Sequence, residues 1–412
     1  AGAASKQLSF TASGAISSGQ TVALQSDGTV TGIAAIAESL GSGVDISGSS
    51  QSLEQNVLVH DSTNNKIVVA TRNGNLSDTG YAYVGTVSGS SISFGSGVQY
   101  ESGTTSEISI AFDSSAGKVV IVYTDGGNSS YGTAIVGTVS GTSISFGTAV
   151  VFNSGSTSNQ VIRFDSANNK VVVAYQDAGN SYYGTAIVGT VSGTSISFGS
   201  ESVFDSNNVE HFIGMAYDSN SDKFVMSFKS GSNEGKAIVG TVSGTSISFG
   251  TAVEFNSSQT RDTSAVFDST NNKVVIAYKD GGNSNYGTAI VGTVSGTSIS
   301  FGSATVYEGS AESNDNFLAF DSNSGKVVVN YDTGTVKYAV GTVSGTSISF
   351  ENSQSIASGS QVGLCFDSTA NKIIFAYRAT SGGVGTAQVL QVASTNSGDF
   401  LGIADAAISN AA

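Results

Sequence analysis

Two stretches decide the fold: Gln160-Val-Ile-Arg-Phe-Asp-Ser-Ala-Asn-Asn-Lys-Val-Val-Val-Ala-Tyr175 and Thr185-Ala-Ile-Val-Gly-Thr-Val-Ser-Gly-Thr-Ser-Ile-Ser-Phe198. The first reads as a strand over residues 160–164, a turn, and a second strand over 170–175. In the turn Asp165-Ser-Ala-Asn-Asn169, Asp, Ser and Asn accept local backbone hydrogen bonds and tolerate left-handed φ. The second strand is apolar at consecutive positions, which predicts that both its faces are buried. Residues 185–191 form a third strand and Ser192-Gly193 a tight hairpin. Thr194–Phe198 alternates polar and apolar side chains, as a half-exposed fourth strand does. No helical period competes with this reading.

The same pattern recurs along the chain. An Asp-Ser-x-x-x-Lys turn follows His60, Phe112, Phe164, Tyr217, Phe267, Phe320 and Phe366, giving seven copies with Asp-to-Asp spacings of 52, 52, 53, 50, 53 and 46. The Val-Gly-Thr-Val-Ser-Gly motif that ends in Ser-Ile-Ser-Phe begins at Val84, Val136, Val188, Val239, Val291 and Val340, which is six copies. Four-stranded units of this length predict an all-β fold, a seven-bladed β-propeller of four-stranded antiparallel blades with small β segments at both termini. The recurring strand-three glycines (Gly85, Gly137, Gly189, Gly240, Gly292, Gly341) predict a bulge or a close backbone approach between blades. The recurring Asp and Lys are expected to pair across the hairpin, for about 0–1 kcal/mol each.

The unequal counts locate a seam. The seventh repeat has strands over 362–366, 372–377 and 385–392 but no fourth-strand motif, whereas Gly41-Ser-Gly-Val44, ahead of the first repeat, matches Gly95-Ser-Gly-Val98. The expected organisation is therefore a propeller over 33–392, closed by residues 33–47 pairing with 385–392, which removes two sheet edges. Residues 1–32, with a turn at Asp27-Gly28, form an N-terminal β hairpin or stalk. Residues 393–412 form a C-terminal flank that continues into a longer chain or packs on the N-terminal segment. The start, Ala1-Gly-Ala-Ala-Ser-Lys6, has neither an initiator Met nor a signal-peptide pattern, and reads as that of a chain processed or cut from something longer.

Composition narrows the partners. Charged residues are 11% of the 412, against about 25% on average, and the formal net charge is −15. That balance argues against nucleic-acid binding, which needs Lys and Arg against phosphates, and against docking on anionic membranes. No apolar run is long enough to insert as a membrane helix. Cys365 is the single cysteine and lies in an apolar run, so it reads as a small buried hydrophobe.

The repeated turns share one face of a propeller, and the loops after strands two and four share the other. That second face is the diverse one. The residue after strand two is Arg72, Thr124, Gln176, Lys229, Lys279, Asp332 or Arg378, and varied polar loops on a rigid scaffold make a binding surface. One loop recurs there three times, with Asp125, Asn128 and Tyr131, with Asp177, Asn180 and Tyr183, and with Asp280, Asn283 and Tyr286. These groups suit sugar hydroxyls and their C–H faces. The plainer reading is a turn with an Asp cap and a packed Tyr. A Ca²⁺ ion is a third reading, although the loop lacks the acidic density of a dedicated calcium site; no other cofactor and no metal cluster is expected. His60 reads as core filler and His211 as an ordinary exposed loop residue. Two His and one Cys supply no catalytic pair, nothing singles out two facing carboxylates, and no enzyme activity is expected. Arg163 is the oddity, since its counterparts are Val59, Ala111, Ala216, Val266, Ala319 and Cys365. Either it meets an anion or water in the central channel or it pairs with a loop carboxylate; pairing is the expectation.

The repeats Val136-Gly-Thr-Val-Ser-Gly-Thr-Ser-Ile-Ser-Phe-Gly147 and Phe267-Asp-Ser-Thr-Asn-Asn-Lys-Val-Val-Ile-Ala-Tyr-Lys-Asp-Gly-Gly-Asn-Ser-Asn-Tyr-Gly287 resemble those of repeat proteins in marine bacteriophages. The flank Phe400-Leu-Gly-Ile-Ala-Asp-Ala-Ala-Ile-Ser409 is also similar to a segment of those proteins. The resemblance implies a non-enzymatic virion-surface or tail-fibre-like protein, at the virion surface or otherwise extracellular. It implies other virion proteins and a host cell-surface glycan or protein as partners, and homo-oligomerisation through stalks. A secreted bacterial propeller lectin is the alternative, and a propeller glycoside hydrolase the third reading.

Overall fold

The computed structural model describes residues 11–16, 21–24, 27–32, 35–231, 233–395 and 400–403. Among these the structure is antiparallel β almost throughout, with four three-residue 3-10 turns and no helix long and apolar enough to cross a membrane. The chain divides into two compact bodies, one of residues 40–390 and one of residues 1–39 with 391–412.

In the larger body each repeat is a meander. In the third, Val150–Asp165 pairs with Lys170–Asp177, that strand with Tyr183–Ser192, and that one with Ser195–Phe198. The connection to the next repeat, Ser202–Asn208, then runs along the other half of the third strand. In the last repeat Gly359–Asp367, Lys372–Ala379 and Gly385–Gln391 supply the first three strands. Val44 lies opposite Ala387 and Asp45 opposite Thr386. Gly41 N donates to Val389 O at 2.8 Å and Ile46 N to Gly385 O at 2.9 Å. Residues 33 and 34 of the expected closing segment lie outside the described residues.

The conserved shape of the repeated turn comes from its Asp. Asp165 Oδ1 accepts from Ala167 N at 3.0 Å and Asn168 N at 2.9 Å, and Asp268 Oδ1 accepts from Thr270 N and Asn271 N, both at 2.9 Å. The residue before each Lys takes positive φ, as at Asn169 (52°), Asp222 (55°), Asn272 (54°) and Gly325 (67°), which explains Asn, Asp or Gly there. The expected Asp–Lys pairing is overturned. The carboxylate is turned into the loop to accept from the turn's own backbone N–H groups, and Lys66 Nζ instead donates to Thr86 Oγ1 at 3.0 Å.

Cores form between consecutive repeats. Val172, Ala174 and Val188 of the third pack with Met215, Phe224, Met226 and Phe228 of the fourth. Likewise Ile374, Ala376 and Val389 of the last pack with Leu53, Ile67 and Tyr83 of the first. The fully covered second strands account for the consecutive apolar runs, since Val171 to Tyr175 all have zero exposure. His60 does more than fill this core: its Nε2 lies 3.2 Å from Asp367 Oδ1, tying the first repeat to the last.

The strand-three glycines also differ from expectation. A Cβ on Gly85 would meet Ile92 Cδ1 and Phe94 Cε1, both at 2.8 Å, and the ladder passes Gly85 without a register shift. These glycines make room for fourth-strand side chains of their own sheet. Close backbone approach between repeats falls elsewhere. A Cβ on Gly147 would lie 1.9 Å from Thr194 O in the next repeat, and one on Gly41 1.9 Å from Ser90 O.

In the smaller body Thr21–Leu24 lies between Val30–Gly32 and Phe400–Ile403, with Ile16, Val22 and Val30 buried together. Ala35–Ile36 pairs with Ser394–Thr395. The rest of the 400–409 segment lies outside the described residues.

Candidate binding face and channel

Every first strand carries the same irregularity. Its ladder with the second strand slips once, for example between Ser106 and Ser109 and between Ser158 and Val161. At the slip sits a non-glycine residue in left-handed backbone: Gln55 (52°), Glu107 (52°), Asn159 (54°), His211 (57°), Asp262 (51°), Asp315 (49°) or Gln361 (54°). Positive φ is uncommon away from glycine, and bulges re-aim side chains beside functional sites. The residue just before each pairs with the variable residue after strand two: Glu54 with Arg72, Glu210 with Lys229, Arg261 with Lys279, Ser360 with Arg378. The variable positions thus form two tiers, one behind the other.

The tiers differ in charge from sector to sector. In the first and last repeats Arg72 contacts Glu54, and Arg378 Nε lies 3.5 Å from the same carboxylate. The second repeat carries the single carboxylate Glu107 and the third is neutral here, with Thr124 Oγ1 donating to Thr157 O at 2.8 Å and Gln176 Nε2 to Asn208 at 2.8 Å. The fourth to sixth concentrate titratable groups. Lys229 Nζ meets Glu210 at 2.5 Å, and Lys279 Nζ meets Glu312 at 3.1 Å and Asn314 at 2.8 Å. His211 is half-buried and not the ordinary exposed residue expected; burial, then Arg261 and Lys229, hold its imidazole below the usual value. Burial pushes Asp262 up, partly offset by Lys279 and Arg261. Asp315 is pushed up to about 6 by burial and then by Asp262 and Asp332. The fourth repeat has one extra residue at its slip, between Glu210 and Gly214. The adjoining Phe212 is 39% exposed and meets Phe317 of the sixth repeat edge-on at 6.2 Å.

The three Asp/Asn/Tyr loops lie on separate repeats, and each is tied to the strand that follows: Thr157 N donates to Ser130 O at 3.2 Å, Val209 N to Tyr182 O at 3.1 Å and Ser313 N to Asn285 O at 3.1 Å. Asn128, Asn180 and Asn283 close short 3-10 turns and are exposed, while Tyr131, Tyr183 and Tyr286 open the third strands half-buried. Asp280 accepts from Gly282 N at 2.9 Å. Asp177 is buried and accepts from Asn153 Nδ2 at 3.2 Å. Burial, then Glu101 or Glu201, pushes Asp125 and Asp177 up. A fourth such turn, Gly74–Leu76, is capped by Asn73, which accepts from Asn75 N; with Asn in place of Asp it escaped the sequence pattern. Among the described residues no group of three or more His, Cys, Asp and Glu is placed to hold a metal ion. Burial raises the Cys365 thiol.

Below the tiers the first strands enclose a cavity of about 280 Å³, lined among others by Asn56, Gln160, Arg163, Thr263, Asn316 and Leu364. The expected pairing of Arg163 with a loop carboxylate is overturned. Its Nη1 donates to Ile162 O at 2.8 Å and it takes part in no ion pair among the described residues. It stands four residues beyond Asn159 on its strand, too deep for the loop carboxylates. Burial lowers its pKa to about 10, so it remains a cation at neutral pH.

No protein-family model and no curated protein matches the chain. Among solved structures, a propeller chain in the one titled "Crystal Structure of Mitotic Checkpoint Complex" matches with a TM-score of 0.55 at 9% identity, covering 86% of this chain and 94% of that chain. At that identity the likeness speaks for the fold alone, and the fold is a β-propeller.

Proposed function

We propose that the chain is a seven-bladed propeller, spanning 33–392 with 33–47 closing against 385–392, that serves as a non-enzymatic adhesion module on a virion surface. The flanks 1–32 and 393–412 join it to other virion proteins, and the variable face meets a host cell-surface glycan or protein. One observation carries this reading. Structurally equivalent positions at the channel mouth hold Gln, Glu, Asn, His or Asp in one tier and Arg, Thr, Gln, Lys or Asp in the other. The opposite face repeats one Asp-capped turn nearly unchanged. A scaffold that keeps one face constant and diversifies the other supports recognition, and the resemblance to marine phage repeats supplies the setting. Electron microscopy of particles with a gold-labelled antibody to this chain is expected to decorate the virion; label confined to host cells sinks the proposal. A glycan array run with and without Ca²⁺ distinguishes a lectin, through binding that Asn128→Ala, Asn180→Ala and Asn283→Ala together abolish.

A second reading, a propeller glycoside hydrolase, draws on Asp262 and Asp315. They occupy equivalent positions on adjacent repeats, burial pushes both up, and Asp315 reaches about 6, the range of a carboxyl held protonated for acid catalysis. Release of reducing ends from host polysaccharide, lost in Asp315→Asn, favours it; no release removes it.

A further inference from the structure

Arg163 is left unexplained by a binding face at the loops. It is the cation among the residues lining the cavity, whose other charged members are Glu107 and Asp315. Glu107 is tied to the upper tier, where its Oε2 accepts from Asn159 N at 2.8 Å. Neither carboxylate forms an ion pair with Arg163. Of the several N–H donors of its guanidinium, one is used, by Ile162 O. Gln160 is 8% exposed and spends its Nε2 on Thr124 and Thr157, leaving Oε1 buried without a donor. Asn56, 1% exposed and also lining the cavity, has an equally unpartnered Oδ1. Leu58, Ile110, Val161, Leu318 and Leu364 complete the walls. A half-buried cation without a counter-charge, and buried acceptors without donors, are both costly. Both deficits lie in one cavity and are met by one kind of molecule.

We propose that the channel binds a monoanionic hydroxy-carboxylate of monosaccharide size, its carboxylate on Arg163 and its hydroxyls donating to Gln160 Oε1 and Asn56 Oδ1. The guanidinium fork matches a carboxylate in two-point contact. A single cation balances a single negative charge, whereas a phosphate dianion leaves a surplus in a low-dielectric channel that already holds Glu107. The site is independent of what the outer face recognises and of the virion setting.

Calorimetric titration of the whole chain tests this with D-glucuronate as probe and D-glucose, acetate and inorganic phosphate as comparators. Saturable binding of glucuronate is expected, at least tenfold tighter than glucose or phosphate. Acetate binds more weakly than glucuronate, since it lacks the hydroxyls. Arg163→Met loses at least tenfold in glucuronate affinity, and Gln160→Leu weakens glucuronate while leaving acetate unchanged. The melting temperature of the unmutated chain gives a reading free of any folding defect in a variant: glucuronate raises it and glucose does not. The proposal is overturned by equal binding of glucuronate to Arg163→Met, by tighter binding of phosphate, or by no saturable response to glucuronate in either measurement.

Discussion

Gly41→Ala places a methyl group 1.9 Å from Ser90 O and 3.4 Å from Val389 O. An ordinary carbon–oxygen contact needs more than an ångström beyond the first of these. The obstacle is a backbone carbonyl at the hairpin turn of repeat 1, so relief requires shifting a strand end and not merely rotating a side chain. Overpacking of this kind costs about 1–3 kcal/mol, and the rigidity of the obstacle puts Gly41→Ala near the top, at about 3 kcal/mol. The repeats provide their own calibration. Gly147 stands 1.9 Å from Thr194 O by the same construction, so Gly147→Ala should cost the same. Glu351 holds the corresponding place at the end of repeat 6, where the following repeat has no Ser-Gly hairpin to collide with. Glu351→Ala should therefore stay within about 0.5 kcal/mol. Urea unfolding reads all three as midpoint shifts at unchanged slope. A costly Gly147→Ala beside a neutral Gly41→Ala would show that residue 41 does not sit at the seam between the last and first repeats. Neutrality of both would refute the contact argument itself.

Two buried carboxyls make opposite pH predictions, both read from unfolding midpoints between pH 2 and 7. Asp315 is pushed from 3.8 up to about 6 by burial, then Asp262 and Asp332. Its protonated form favours the fold, so this contribution, at most about 3 kcal/mol, is full below pH 3.8 and lost as pH rises through about 6. Asp315→Asn should remove that slope, and an unchanged profile counts against the burial argument. Glu308 is 3% exposed; burial pushes it up, but hydrogen bonds from Ser310 and Lys337 together hold it at about 2, against 4.5 unperturbed. Its contribution, of similar size, is present above pH 4.5 and lost as pH falls to about 2. Glu308→Gln should flatten the acid limb and destabilise the chain at neutral pH, because Lys337 then loses its 2.9 Å partner; an acid limb as steep as before contradicts this.

The strands and turns were legible because local chemistry dictates them. Asp165 and Asn169 mark a capped turn whatever surrounds them, and the run Val171 to Ala174 can only be a doubly covered strand. The left-handed tier was not legible. Gln55, His211 and Gln361 belong to no single turn-forming class, and their conformation follows from a register slip that exists only once two strands pair. The faint signals were Asn159, Asp262 and Asp315, residue types that tolerate left-handed backbone. Phe212 left a trace as well, in the spacing of 53 between Asp165 and Asp218, one more than the repeat before it. The Asp–Lys pairs failed because the turn's own backbone N–H groups, two and three residues beyond each Asp, already occupy the carboxylate. Arg163 was visible as an intruder in an apolar register, but its partner depended on depth, which sequence spacing does not encode.

Val44 and Ala387 face each other across a ladder assembled from opposite ends of the chain, and this has a kinetic consequence. Each complete meander can form from neighbouring residues as it leaves the ribosome. The closing strand, made before every other strand of the larger body, has to wait for the last sheet, and its backbone donors stay unpaired through nearly the whole of synthesis. Closing a loop of that length is the slow, entropically opposed step of assembly. Until then the chain is an open arc with an unsatisfied edge at each end, the species most exposed to joining a neighbouring copy instead of itself.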